Sequence, residues 1–246
     1  MVVAHPGHEL RLHGWLERTK PLLFIITDGS VPSRISSSLT VLDEIDGRAG
    51  TIFGRFTDGE LYAAILRGDI DRIADATREL SGALVSNGIE QVVCDAWENY
   101  NPTHDLCRVM AAIAVDRAQR TADRAIAFYD YAVVGSTGAT GADGEIVIEL
   151  DGAALARKLA AAHAYDAIRN EVEEQLRDGS EPFRIECLRP ASVDTILPQR
   201  TEKPAYELYG EARVAAGRYA TVLRYHEHFV PFVKALVSRL SGDNDD

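Results

Sequence analysis

The sequence predicts an α/β protein: a mostly parallel sheet flanked by helices, with a strand and helix extension toward the C-terminus. Three observations predict it. Short apolar runs without alternation, Leu22–Thr27 above all, have the pattern of strands buried on both faces. These runs alternate with segments whose apolar residues recur at helical spacing. Glycine, proline or asparagine stands at most of the joints. A single domain is expected over 1–246, with core βα units in 1–130 and an extension in 131–246 that completes it.

Residues 1–4 are apolar and precede His5-Pro6-Gly7; Leu12, Trp15 and Leu16 then recur at helical spacing within 10–18, giving strand, tight loop and helix. The run Leu22–Thr27 follows and stops at Asp28-Gly29, which makes a βαβ unit. Residues 51–53 are a weak third strand. Helices are expected over 58–66 and 69–85, the second with Ile70, Ile73, Ala74, Leu80 and Leu84 on one side and Gly88 past its end. Residues 91–94 are another short buried strand. Asn101-Pro102 opens a helix that runs to about residue 128, with proline in its first turn and Leu106, Val109, Met110 and Ile113 as its core stripe. Strands at 131–134 and 145–150 are joined by a Gly/Thr/Ser-rich loop over 135–144, and a long Ala-rich helix covers 153–176. Residues 178–205 contain Pro182, Pro190, Pro198 and Pro204 and are expected as an irregular surface excursion. A helix over 230–240 and a frayed acidic tail over 242–246 follow. This alternation of strand and helix is that of a doubly wound, Rossmann-like sheet.

Composition narrows the function classes. Of 246 residues, 46% are apolar and 26% charged, an ordinary globular balance. The formal net charge is −12, and no Lys/Arg-rich stripe offsets it, which argues against a phosphate-tracking nucleic-acid binder and against anionic membranes. The purely apolar runs, among them 22–26, are far short of the roughly 20 residues that span a bilayer, and the N-terminal residues do not have the form of a secretion signal. A cytoplasmic protein with a small-molecule substrate is expected, its oligomeric state open. Cys94, Cys107 and Cys187 are widely spaced, with no CxxC pair, and read as buried thiols.

The chemistry concentrates in Ala4-His5-Pro6-Gly7-His8-Glu9. It lies just past the first strand, where open α/β sheets bind ligands. His5 and His8 stand three apart across a loop entering a helix, close enough to share one divalent cation. His104, in the first turn of the helix opened by Asn101-Pro102, offers a third imidazole. Three imidazoles and a water make a catalytic zinc arrangement; satisfied or exposed histidines are the plainer reading of His-x-x-His. His13 and His163 are expected as surface or satisfied helix residues.

These motifs resemble those of the PIG-L/LmbE-like deacetylases, a Rossmann-like, zinc-dependent family of N-acetylglucosaminyl-type deacetylases whose motifs read AHPDDE and HPDH. This chain has AHPGHE at 4–9, NPTH at 101–104 and Thr27-Asp28-Gly29 where the family has TDG. The resemblance implies Zn2+, or another divalent transition metal, on His5, His8 and His104, with His8 in place of an aspartate. It also implies two departures: the family's general base aligns with Gly7, and a helper near the oxyanion aligns with Asn101. Two repairs are open. A neutral ligand at position 8 leaves the site one unit more positive and its bound water more acidic, or a nearby carboxylate, Glu9 or Asp28, takes the proton.

Asn101 can donate to an oxyanion and Tyr100 can polarise a carbonyl, against the plainer readings of a helix N-cap and a packed loop aromatic. Arg34, in a Ser-rich loop after the second strand, and Asp58, after the third, resemble family substrate contacts; a solvated loop charge and a helix N-cap are the alternatives. The polar and aromatic segment 206–228 reads either as a lid or dimer contact or as an ordinary surface network. The expectation is therefore an N-acyl hydrolase acting on a small hydroxylated metabolite or sugar conjugate. Its rivals are a lyase, isomerase or transferase on the same metal site and a catalytically silent scaffold.

Overall fold

The run Leu22–Thr27 forms a strand at those bounds, because five consecutive buried apolar or small side chains leave the backbone no exposed face. The computed structural model describes residues 1–135, 138, 140–177, 179–198 and 202–242. Among these, the strands are β1 (Val2–Val3), β2 (Leu22–Thr27), β3 (Arg48–Phe56), β4 (Gln91–Asp95), β5 (Ala127–Tyr131), β6 (Ile146–Glu149) and β7 (Ile185–Pro190), in the sheet order β3-β2-β1-β4-β5-β7-β6. Pairing is parallel where β1 meets β2 and β4 and where β2 meets β3, and antiparallel where β7 meets β5 and β6. The fold is thus the expected α/β class, with an antiparallel edge. Helices α1 (His13–Thr19), α2 (Pro32–Ile45), α3 (Asp58–Arg67), α4 (Asp71–Ser86), α5 (Pro102–Ala122), α6 (Gly152–Ala164), α7 (Arg169–Gln175), α8 (Ala205–Ala215) and α9 (Val230–Ser241) complete it.

Two compact units divide the chain. The first comprises 1–57, 93–96 and 129–191, and its core gathers Val3, Leu16, Leu23, Ile25, Val93, Tyr131, Leu155, Tyr165 and Leu188. The second comprises 58–92, 97–128 and 192–246, where α4 and α9 pack on α5. Helix α5 is buried from Pro102 through Val115, polar Thr103, His104, Asp105 and Arg108 included, so burial extends beyond the stripe of Leu106, Val109, Met110 and Ile113 that the sequence predicts. Among the described residues no helix is long and apolar enough to cross a membrane.

Several expectations need correction. Residues 32–45 form α2 rather than a Ser-rich loop: the Ser36 and Ser37 hydroxyls donate to the Ser33 carbonyl, so the polar run satisfies itself locally while Val41, Leu42 and Ile45 reach the core. Helix α5 stops at Ala122, capped by Asp123 in the left-handed region, and Phe128 belongs to β5. The single helix expected over 153–176 is broken at Tyr165, whose buried ring turns inward and hydrogen-bonds Ser38 at 2.9 Å. Within the presumed excursion, Ile185–Pro190 is a strand; proline is tolerated there because Pro190 ends it. Parts of the expected loop 135–144 and excursion 178–205, and the tail beyond 242, lie outside the described residues.

In the first unit, Glu186 of β7 accepts the Gly14 and Trp15 amides at 2.9 and 2.8 Å, filling two of the donors that the N-terminus of α1 leaves open, and Lys158 of α6 at 2.9 Å. His13 opens α1 beside them. It is 3% exposed, contrary to expectation, and its Nδ1 has no hydrogen-bond partner among the described residues, whereas His163 is exposed as expected. Burial holds the His13 pKa below its ordinary 6.5, against the pull of Glu17 and Glu186. The unfolded chain then binds the proton more readily than the folded one, so His13 makes stability decline as pH falls through 6.5 toward the lower folded value. His13→Phe is expected to flatten this decline, read as the urea midpoint between about pH 7 and pH 5; an unchanged slope would remove His13 from the acid response.

Candidate metal centre

The strand order reverses between β1 and β4, which makes their carboxyl ends the topological switch point, the usual ligand crevice of an open α/β sheet. β1 ends at Val3 and delivers Ala4-His5-Pro6-Gly7-His8 to that edge; β4 ends on Asp95. Asp95 is fully buried. Its Oδ2 accepts the Ala4 amide at 2.8 Å and lies 2.8 Å from His8 Nδ1, and its Oδ1 accepts the Tyr131 hydroxyl at 3.0 Å. With an amide proton already on Oδ2, the carboxylate acts as acceptor, which assigns the His8 proton to Nδ1 and leaves Nε2 with a lone pair. The His5 and His8 rings meet edge to face, centroids 5.0 Å apart.

His104 stands in the first turn of α5, 4% exposed, with Nδ1 3.8 Å from a Glu98 carboxylate oxygen. One ligand atom from each of His5, His8 and His104 lies within 4.8 Å of the other two, a group able to hold a metal ion. Three imidazoles form a borderline-soft, neutral nitrogen set suited to zinc and its transition-metal neighbours. The donor set therefore fits the metal that the resemblance implies.

The carboxylates differ sharply in placement. Glu9 is fully buried; one oxygen accepts the Gly7 amide at 2.7 Å and the other the Ser38 hydroxyl, whose partner is Tyr165. Burial pushes its carboxyl up, opposed by those hydrogen bonds and by the Arg34 charge. Asp28, just past β2, is half-buried and uses Oδ1 to accept the Ser30 amide at 2.8 Å. Arg34 lies in α2, its Nε buried with no hydrogen-bond partner among the described residues.

Gly7 has φ of 102°, and a Cβ there would stand 3.2 Å from Ile168 Cδ1 and 3.7 Å from Arg34 Nη2 and Tyr165 Cζ. The region that a base at this position would enter is lined by those side chains, and the backbone itself disfavours an L-residue. Gly7→Asp is therefore expected to cost about 1–3 kcal/mol of stability and to raise no activity, measured by urea unfolding and turnover; a stable, faster variant would refute this.

In the second unit, Asn101 caps α5. Its Oδ1 accepts the Thr103 amide at 2.8 Å and the Tyr62 hydroxyl at 3.2 Å, so only its amide nitrogen has donor capacity to spare. Asp58, the first residue of α3, accepts the Thr103 hydroxyl at 2.9 Å. Tyr100 is 56% exposed, its ring centroid 6.3 Å from that of His104. The segment 206–228 proves internally tied: Glu207 accepts the Tyr225 amide at 2.6 Å, and Arg224 pairs with Glu211 at 2.9 Å.

Sequence reasoning missed Asp95 and Tyr131. The apolar run predicts a strand only to Cys94, whereas β4 ends one residue later, on the carboxylate at the switch point.

No protein-family model matches the chain, and no curated protein gives a significant sequence match. Solved structures do share its fold. A triple mutant of a deacetylase involved in the teicoplanin biosynthetic pathway superposes with a TM-score of 0.51 at 12% identity, over 76% of this chain and 95% of that one. A deacetylase–bog complex from the teicoplanin biosynthesis pathway gives 0.50 at 12% identity, over 76% and 96%. At such identity the likeness is one of fold, and it is the fold that AHPGHE and NPTH imply.

Proposed function

We propose that this chain is a divergent PIG-L/LmbE-like, metal-dependent hydrolase that removes an N-acyl group, acetyl or similar, from a small hydroxylated metabolite or sugar conjugate. The observation that carries the reading is the convergence of His5, His8 and His104, the three imidazoles of the AHPGHE and NPTH motifs. A deacetylase of the teicoplanin biosynthetic pathway shares this fold, which supports the reading.

His5, His8 and His104 would hold the cation. When bound, a divalent metal supplies Lewis acidity toward a carbonyl and lowers the pKa of water. This chain's own groups do the rest. Asp28 would take a proton; it is half-buried, and its Oδ1 accepts the Ser30 amide while Oδ2 lies outside that hydrogen bond. Glu9, with both oxygens engaged, holds the Gly7 loop against α2. The Asn101 amide nitrogen and the Tyr100 hydroxyl are the neutral donors for a developing oxyanion. Arg34 and Asp58 are the charged groups for substrate polar atoms.

Gly7 supports a second reading, in which the same metal site runs a lyase, isomerase or transferase step, since no side chain replaces the family's base at that position. Release of free acid from N-acylated amino sugars by zinc-loaded protein, lost in His104→Ala, supports hydrolysis. Stoichiometric metal without acid release across a panel of acyl donors favours the second reading.

A further inference from the structure

We propose that Asp95 is a positioning residue for the metal ligand His8, and that it carries, one hydrogen bond further out, the negative charge that an aspartate at position 8 would bring to the centre. This rests on the metal-site reading above. Asp95 ends a strand at the middle of the sheet, so its backbone is fixed by its neighbours. Three donors from three elements triangulate its carboxylate: the Ala4 amide after β1, the His8 ring and the Tyr131 hydroxyl of β5. The Tyr131 hydroxyl also reaches the His8 carbonyl oxygen at 3.1 Å, so one residue holds both the backbone of His8 and the partner of its ring.

The consequence is chemical as well as geometric. An imidazole that gives its Nδ1 proton to a carboxylate has one tautomer, one ring orientation and a more basic Nε2. A neutral histidine at position 8 would by itself leave the centre one unit more positive than an aspartate ligand does. Asp95 sets one negative charge a hydrogen bond beyond His8, which would oppose the added acidity that the ligand exchange alone would give to water on a bound metal. The site differs from a histidine–aspartate–histidine centre in donor type more than in charge.

Two measurements test this. Asp95→Asn keeps an acceptor for Ala4 and His8 but removes the charge; zinc affinity is expected to fall about 10–100-fold, while thermal stability measured in chelator changes little. Asp95→Ala removes the hydrogen bond, and side-chain nitrogen NMR of the metal-free protein should show His8 leaving the Nδ1–H form that the wild type holds. Tyr131→Phe should leave that form in place. Equal zinc affinity in wild type and Asp95→Asn overturns the charge argument, and an unchanged His8 tautomer in Asp95→Ala overturns the positioning role. A wild type that takes up no zinc while His8 holds the Nδ1–H form overturns the metal reading and supports the positioning role, so the two failures are distinguishable.

Discussion

His104→Ala is expected to abolish stoichiometric metal uptake and with it the acyl-hydrolase activity. The loss should exceed the roughly 10–100-fold that removal of an outer hydrogen-bond partner costs, because two imidazoles alone do not meet the three protein ligands of a catalytic zinc site. The folded state should tolerate the change. His104 lies in the first turn of a long helix, alanine is the best helix former, and the Asn101 cap and Asp58–Thr103 hydrogen bond that hold this turn do not involve the imidazole. Zinc or cobalt titration followed by thermal melting in chelator checks both halves. One equivalent of metal held by the variant with wild-type affinity would sink the ligand assignment.

Glu186→Ala is expected to be the most destabilising single change in the first unit. It removes the acceptor of two α1 amides and leaves the Lys158 ammonium, 4% exposed, with only the Arg11 carbonyl at 2.7 Å among its described hydrogen bonds. Burial already lowers the Lys158 pKa, opposed by Glu186, so losing that partner leaves desolvation unopposed by its charge. Breaking a buried pair from one side costs about 3–5 kcal/mol, a large part of the 5–15 kcal/mol by which a domain is typically stable. Lys158→Met in the same chain should recover part of the loss, but not the part due to the uncapped α1 amides. Calorimetry of the two single variants and the double variant reads this directly; a loss below about 1 kcal/mol in Glu186→Ala would show that solvent reaches the site. Because α1 begins directly after the turn that follows His8, loosening it should also weaken metal binding.

Legibility in the sequence followed the range of the forces involved. The β2 run, the Pro102 start of α5 and the Ala4–Glu9 motif declare themselves because apolar periodicity, proline geometry and motif spacing act within a few residues. Helix α2 did not, since three adjacent serines have the composition of a loop, and what makes them helical is self-satisfying hydroxyls together with a core stripe further along. Strand β7 hid behind its prolines because what stabilises it lies elsewhere: β6 pairs with it from Ile146↔Leu188 to Glu149↔Ile185.

The amino-acid order alone therefore determined the α/β class, the loop that carries His5 and His8, and the third imidazole at His104. Tertiary structure decided what surrounds them: that Asp95 takes the Nδ1 side of His8, that Glu9 is buried as a clasp, and that Ile168 and Tyr165 line the region beside Gly7. The physical reason is that a residue's type sets which bonds it can make, while its partner, its solvent and hence its charge are set by chain segments dozens of residues away.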